Sequence, residues 1–112
     1  LPNLYGDIVS DIGAGLIGGL SAASGANIGE EGALFEAVHG SYPDLAGRNK
    51  ANPLGMVLSA AEMIKYMGFK NEAQRVLNAV ETVLEQKDML TQDLGGSAGT
   101  KEMAQAIIKA MN

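Results

Sequence analysis

The chain has 112 residues, 46% of them apolar, with two Phe, three Tyr and no Trp, so it is one domain's worth of sequence or less, and its core rests on Leu, Ile, Val, Met and Ala. A net charge of −5 with no basic cluster offers no track for phosphate backbones and argues against nucleic-acid binding. The absence of Cys excludes disulfides and thiolate metal sites within this stretch, and no apolar run reaches the roughly 18–20 residues that span a bilayer.

The chain opens at Leu1 rather than Met and runs directly into an ordered-looking motif, which is what a piece of a longer protein looks like. Ten of the fifteen glycines fall within residues 1–47, so the first part is rich in turns and close packing, while the part from about residue 51 is mostly helical. Leu1 to Gly6 is expected to be a short strand. Asp7 to Leu20 is expected to be a helix, with Ile8, Ile12, Leu16 and Leu20 on one face. Its Gly13-Ala14-Gly15-Leu16-Ile17-Gly18 run matches the dinucleotide pattern G-x-G-x-x-G. That pattern carries meaning only between a strand and a helix. Here Asp7, Ser10 and Asp11 precede it and loop-like residues follow, so it reads as a helix face of small residues on which another backbone packs closely.

Ser21 to Gly32 reads as a loop. Ala33 to Val38, apolar except for Glu36, reads as a strand suited to a buried position. It ends in His39-Gly40, and a second loop runs from Gly40 to Ala51. Loops at strand ends are where open α/β sheets hold their ligands. Asn52-Pro53 opens the next helix, since Asn is a favoured cap and Pro a favoured first helical residue. Leu54 to Met67 follows, apolar nearly all round and therefore expected to be buried, and Gly68 stops it. Asn71 to Lys87 is amphipathic, with Ala73, Val76, Leu77, Val80, Val83 and Leu84 on its apolar stripe. Asp88 to Gly99 is irregular, with a short extended piece around Leu90. Thr100 is expected to cap a last helix that carries Met103, Ile107 and Met111 on one face.

Two residue sets can carry chemistry. Asp7 and Asp11 are four apart, so on a helix their carboxylates share a face and repel by roughly 0.2–0.5 kcal/mol. A Mg²⁺ or Mn²⁺ ion, which prefers oxygen ligands, reverses that cost. Equally, acidic residues suit a first helical turn and Asp7 suits an N-cap, so spacing alone leaves both readings open. His39 is the sole histidine. With no second His, and no Ser/His/Asp or Cys/His arrangement to join, it is not cast as a general base. Asp44, taken by itself, is an ordinary solvated loop residue.

The segments Asn3-Leu4-Tyr5-Gly6-Asp7-Ile8-Val9-Ser10-Asp11, His39-Gly40-Ser41, Pro43-Asp44-Leu45-Ala46-Gly47 and Ala51-Asn52-Pro53 together resemble the β-decarboxylating dehydrogenases, the family of isocitrate, isopropylmalate and homoisocitrate dehydrogenases. The resemblance covers nearly the whole chain and corresponds to about the last third of a family subunit. It implies an α/β fold, the C-terminal part of an isopropylmalate-dehydrogenase-like fold with few strands and about four helices. Residues 1–32 would be the metal-site and interface-helix region, and residues 33–112 the nucleotide-binding loop and helical C-terminal part. By this resemblance Asp7 and Asp11 bind Mg²⁺ or Mn²⁺, a third aspartate coming from a partner subunit. His39 and Asn52 lie near the adenine, and the Gly40 backbone approaches the cofactor, with Ser41, Asp44 and Leu45 completing the loop.

Asp44 implies NAD rather than NADP, because a carboxylate accepts from ribose hydroxyls and repels a 2′-phosphate. NADP-dependent members tend to have Lys-Tyr in place of Asp44-Leu45, and a Tyr and an Arg near Gln92 and Gly96; all four are missing here. Tyr42 departs from the Ala common at its position. Gly25-Ala26-Asn27-Ile28-Gly29 with Glu36-Ala37-Val38-His39-Gly40 looks most like isocitrate dehydrogenase, with isopropylmalate and homoisocitrate dehydrogenases as alternatives. The implied reaction is oxidation of a 2-hydroxy acid by NAD, then metal-assisted loss of CO₂, in a homodimer that is cytoplasmic, or in the mitochondrial matrix of a eukaryote. The family's substrate-gripping Arg residues and its proton-handling Lys and Tyr have no counterpart in this chain, so the isolated chain is expected to be inactive. A non-catalytic folding or regulatory module is the rival from another class.

Overall fold

The computed structural model describes residues 24–112. The expected strand at 1–6 and helix at 7–20, with Asp7, Asp11 and the Gly13–Gly18 run, lie outside the described residues. Two strands, β1 (Ser24–Ile28) and β2 (Ala33–Ala37), are followed by a 3-10 turn at Pro43–Leu45 and the helices α1 (Leu54–Tyr66) and α2 (Lys70–Gln86). A second 3-10 turn at Gln92–Leu94 and helix α3 (Thr100–Ala110) complete the order. This is the mixed α/β class expected.

The strands form an antiparallel hairpin in which Ile28 pairs with Ala33 and Ser24 with Ala37. Its tip closes through the Gly29 N–H donating to the Gly32 carbonyl at 2.8 Å. Two expectations are corrected here. Residues 24–28 are a strand, not loop; Ser, Gly and Asn give them little intrinsic β preference, and pairing with β2 supplies what composition lacks. β2 is not buried either. Ile28 and Leu34 are 63% and 58% exposed, because only one face of this two-stranded ribbon meets α1.

That face is pinned at two points. The buried Ser59 Oγ lies 2.7 Å from the Glu36 carbonyl oxygen and 2.8 Å from that of Gly55, its single proton shared between β2 and its own helix. The Phe35 and Tyr66 rings meet with centroids 5.6 Å apart. The pins fix where β2 ends, and so where His39 begins its loop.

α1 begins and ends as its flanking residues dictate. The N-cap of α1 is Pro53, whose carbonyl accepts from the Val57 N–H, one residue later than expected; Asn52 stands just before it, and its Oδ1 accepts from the Leu54 N–H at 2.9 Å in an Asx turn that satisfies the first helical N–H. At the other end Gly68 (φ +98°) donates to Lys65 and Phe69 to Ile64, the paired bonds of a Schellman motif. The helix is not buried all round, however. Leu54, Gly55, Ser59 and Ala61 face inwards, while Met56, Tyr66 and Met67 are more than half exposed.

The core lies between the start of α1, the middle of α2 and α3. Leu54, Ala79, Val80, Val83, Leu90, Met103 and Ile107 are buried there, with Val57, Leu58, Leu84, Ala106 and Met111 packed around them. It is aliphatic throughout, as the composition requires. The stripes expected on α2 and α3 are those that pack, with Val76, Leu77 and Met111 half-buried at their edges.

Beside Leu90 the backbone of Thr91 is extended, though in no strand, and a 3-10 turn follows at Gln92–Leu94. The Ala98 N–H donates to Leu90 and the Gly96 N–H to Thr91, so the chain curls back on itself. Gly96 is required by this closeness, since a Cβ there would collide with the Leu90 carbonyl. α3 corrects another expectation. Its N-cap is Gly99, and Thr100 is its first residue.

Candidate functional site: the His39–Asn52 cleft

Two stretches that are far apart in sequence converge on one cleft of about 290 Å³: the loop after β2, through His39, Tyr42 and Leu45 and, at its end, Lys50, Ala51 and Asn52, and the second 3-10 turn, through Gln92 and Asp93. Of the residues expected to hold a nucleotide, His39, Leu45 and Asn52 line this cleft. Gly40, Ser41 and Asp44 are exposed on the same loop without lining it. Asp44 sits between two anchors, Pro43 and Leu45, within the 3-10 turn.

His39 is half-buried, and its Nδ1 lies 2.7 Å from the Gly40 carbonyl oxygen. A carbonyl only accepts, so Nδ1 carries a proton, and in the neutral ring Nε2 is left as an acceptor. The Tyr42 ring stands 6.0 Å from the imidazole, tilted by 44°. Tyr42 adopts the left-handed conformation (φ 45°), which costs a side-chain-bearing residue about 1–2 kcal/mol. That backbone turns the chain into the 3-10 turn and puts the ring in the cleft wall.

Asn52 is nearly buried, at 8% exposure, and its amide is held at both ends. Oδ1 accepts from the Leu54 N–H at the start of α1, and Nδ2 donates to Asp93 Oδ2 at 2.9 Å. Asp93 Oδ1 in turn accepts from the Thr91 hydroxyl at 2.6 Å, and Thr91 is fully buried. The Asn52 side chain therefore satisfies the first N–H of α1 and lines the cleft at once, although Pro53 holds the N-cap position. Asp93 and Thr91 were not legible as site residues. The only local signal is the Thr-x-Asp spacing, which favours a side-chain turn.

The loop is also fastened to α3. Asn49, left-handed at φ 56°, accepts from the Thr100 N–H through its backbone carbonyl at 3.1 Å and from the Lys101 N–H through Oδ1 at 2.9 Å. Its Nδ2 donates to Glu102 Oε2 at 2.8 Å. Glu102 also takes the Gly99 N–H, as the acid of a capping box does. The bond that caps the Lys101 N–H thus comes from 52 residues upstream. Gly99 is glycine because a Cβ would strike Asn49 and Glu102. The Asn49 amide, with the backbone N–H groups of Glu102 and Gly99, holds the Glu102 carboxyl below the usual carboxylate range.

The volume of the cleft is at the lower limit of the ~300–1,000 Å³ typical of small-molecule sites, room for a nucleoside rather than two. Its walls combine aromatic and aliphatic surface with a few fixed polar groups. At Gly40, beside the cleft, no atom of the described residues lies within 4 Å of where a Cβ would stand. No group of three or more potential metal ligands occurs among the described residues, and none of their helices is long and apolar enough to cross a membrane.

The profile of the isocitrate/isopropylmalate dehydrogenase family matches residues 1–107. A regulatory chain of the mitochondrial NAD isocitrate dehydrogenase of Dictyostelium discoideum is 51% identical over 97% of this chain and 31% of its own length. The 3-isopropylmalate dehydrogenase of Methanothermobacter thermautotrophicus is 52% identical over 96% and 32%, respectively. The isocitrate/homoisocitrate dehydrogenase of Thermus thermophilus is 51% identical over 97% and 32%. Among solved structures, isocitrate dehydrogenase from Methylococcus capsulatus superposes with a TM-score of 0.92 at 48% identity, over 97% of this chain and 33% of that one. The chain spans about a third of the length of the curated relatives it matches.

Proposed function

The chain belongs to the isocitrate/isopropylmalate dehydrogenase family, and we propose that it is the C-terminal third of an NAD-dependent isocitrate dehydrogenase subunit, with its nucleotide site at the His39–Asn52 cleft. One observation carries this reading: His39, Tyr42, Leu45, Ala51 and Asn52 converge on a single nucleoside-sized cleft. The adenine enters between the Tyr42 ring and the Asn52 end. His39 offers an acceptor at Nε2, and the locked Asn52 amide holds its backbone at a fixed place in the wall. Asp44, at the exposed rim, accepts from the ribose hydroxyls and repels a 2′-phosphate. When bound, NAD accepts the hydride of a secondary alcohol. Asp7 and Asp11 enter from the sequence alone, as ligands to a Mg²⁺ or Mn²⁺ ion that supplies Lewis-acid help to the substrate's oxygens. The parent is proposed to be a homodimer, cytoplasmic or, in a eukaryote, of the mitochondrial matrix.

The complete subunit should prefer NAD to NADP by on the order of 100-fold in kcat/KM, as a like-charge contact of a few kcal/mol requires. Asp44→Lys should erode that preference at least about tenfold. An unchanged ratio would remove Asp44 from the site. Rates with isocitrate, isopropylmalate and homoisocitrate compared side by side identify the substrate.

A second reading rests on the Dictyostelium relative, whose name is that of a regulatory rather than a catalytic chain. On that reading the parent keeps the fold and binds nucleotide without turning over substrate. Purified alone, it would bind NAD and release no NADH with any of the three acids.

A further inference from the structure

We infer that Asn49 is a positioning residue of the nucleotide loop, acting through its clamp on α3 rather than by touching the cofactor. The inference rests on the cleft being the NAD site. Three of the four residues from 49 to 52 are bonded to the C-terminal segment. Asn49 holds Thr100, Lys101 and Glu102; the Ala51 carbonyl accepts from the Thr100 hydroxyl at 2.5 Å; and Asn52 holds Asp93. Lys50, Ala51 and Asn52 line the cleft, whereas Asn49 does not.

No regular secondary structure holds residues 46–53, so their position is set by these bonds. Asn49 provides the most of them. It is also one of the few residue types that takes the left-handed conformation readily, and one whose short amide can accept and donate at once. Without it, the Lys101 N–H loses its partner and Glu102 its side-chain donor, and the loop can shift relative to the Gln92–Asp93 wall.

The test uses the complete subunit. Asn49→Ala should raise both the calorimetric Kd for NAD and the KM for NAD about tenfold, the scale of one well-placed hydrogen bond. The kcat at saturating NAD and the KM for the 2-hydroxy acid should stay within about twofold of wild type. The Glu102 contact is probed without truncation by Asn49→Asp, which keeps an acceptor for Lys101 but sets two carboxylates together. Adding Glu102→Gln reverses donor and acceptor across that contact and should return the Kd to within about twofold of wild type. If Asn49→Ala lowers the melting temperature but leaves the Kd for NAD unchanged, or if the reversed pair fails to rescue, the positioning role is overturned. If the wild-type protein itself binds no NAD, the cofactor reading has failed and this inference falls with it. An NAD-binding wild type with an indifferent Asn49→Ala sinks this inference alone.

Discussion

Asn49, Asn52 and Glu102 show how single polar side chains set the geometry of the cleft. Each makes two or more bonds, and each has a partner far away in sequence. Glu102 also has a pH signature. Its carboxyl is held below the ordinary value, chiefly by the Asn49 amide. A group whose folded pKa is lowered stabilises the fold when ionised. That contribution is complete above the ordinary glutamate value of about 4.3 and is lost as pH falls through the lowered folded value. Glu102→Gln should therefore lower the melting temperature at pH 7. The deficit should shrink as the pH is taken down towards 3, in parallel thermal melts. A deficit independent of pH would mean that the lost contact was packing rather than charge.

Among the elements, helix ends were read with mixed success, for one reason. α1 was legible to within one residue because its start and stop signals are local: Asn52 reaches the N–H two residues on, just before the Pro53 N-cap, and Gly68 closes the last turn. α3 was misread because its cap is not local. Thr100 is a favoured capping residue, but a cap supplied by Asn49 puts Gly99 at the cap position and turns the Thr100 hydroxyl to Ala51. β1 was missed because a strand of Ser, Gly, Ala, Asn and Ile is made by its partner. The turn after Leu90 gives this scale its test. Gly96→Ala should destabilise by about 1–3 kcal/mol, because the added methyl meets backbone and cannot be accommodated by a rotamer change. Gly95→Ala, strained only by its left-handed φ of 87° with open space around it, should cost about 1–2 kcal/mol. A urea midpoint for Gly96→Ala equal to or above wild type would refute the close approach.

Taken as a whole, the described part is three helices and a hairpin around a small aliphatic core, with much apolar surface left bare. Ile28, Leu34, Met56, Tyr66, Met67 and Phe69 are all more than half exposed. The expectation that β2 and α1 would be buried came from their apolar content. Content records what an element is able to bury, while burial depends on what else is present to cover it. The chain spans about a third of its relatives' length, and its basic residues are scattered. Mixing the purified 112-residue chain with isocitrate, Mn²⁺ and NAD should therefore produce no NADH in a continuous absorbance assay. Sustained NADH formation would show that the groups needed for turnover are all within these residues.

Amino-acid order alone determined the three C-terminal helices, the apolar stripes of α2 and α3 and the loop from His39 to Asn52 as the place to look. Each of these follows from periodicity, caps and turn residues acting over a few positions. Tertiary structure alone decided that Asp93 and Thr91 lock the Asn52 amide, that Asn49 caps α3, that residues 24–28 pair as a strand, and that Tyr42 turns its ring into the cleft. These are contacts across gaps of up to 53 residues, or a backbone state imposed by such contacts, and no local pattern encodes them.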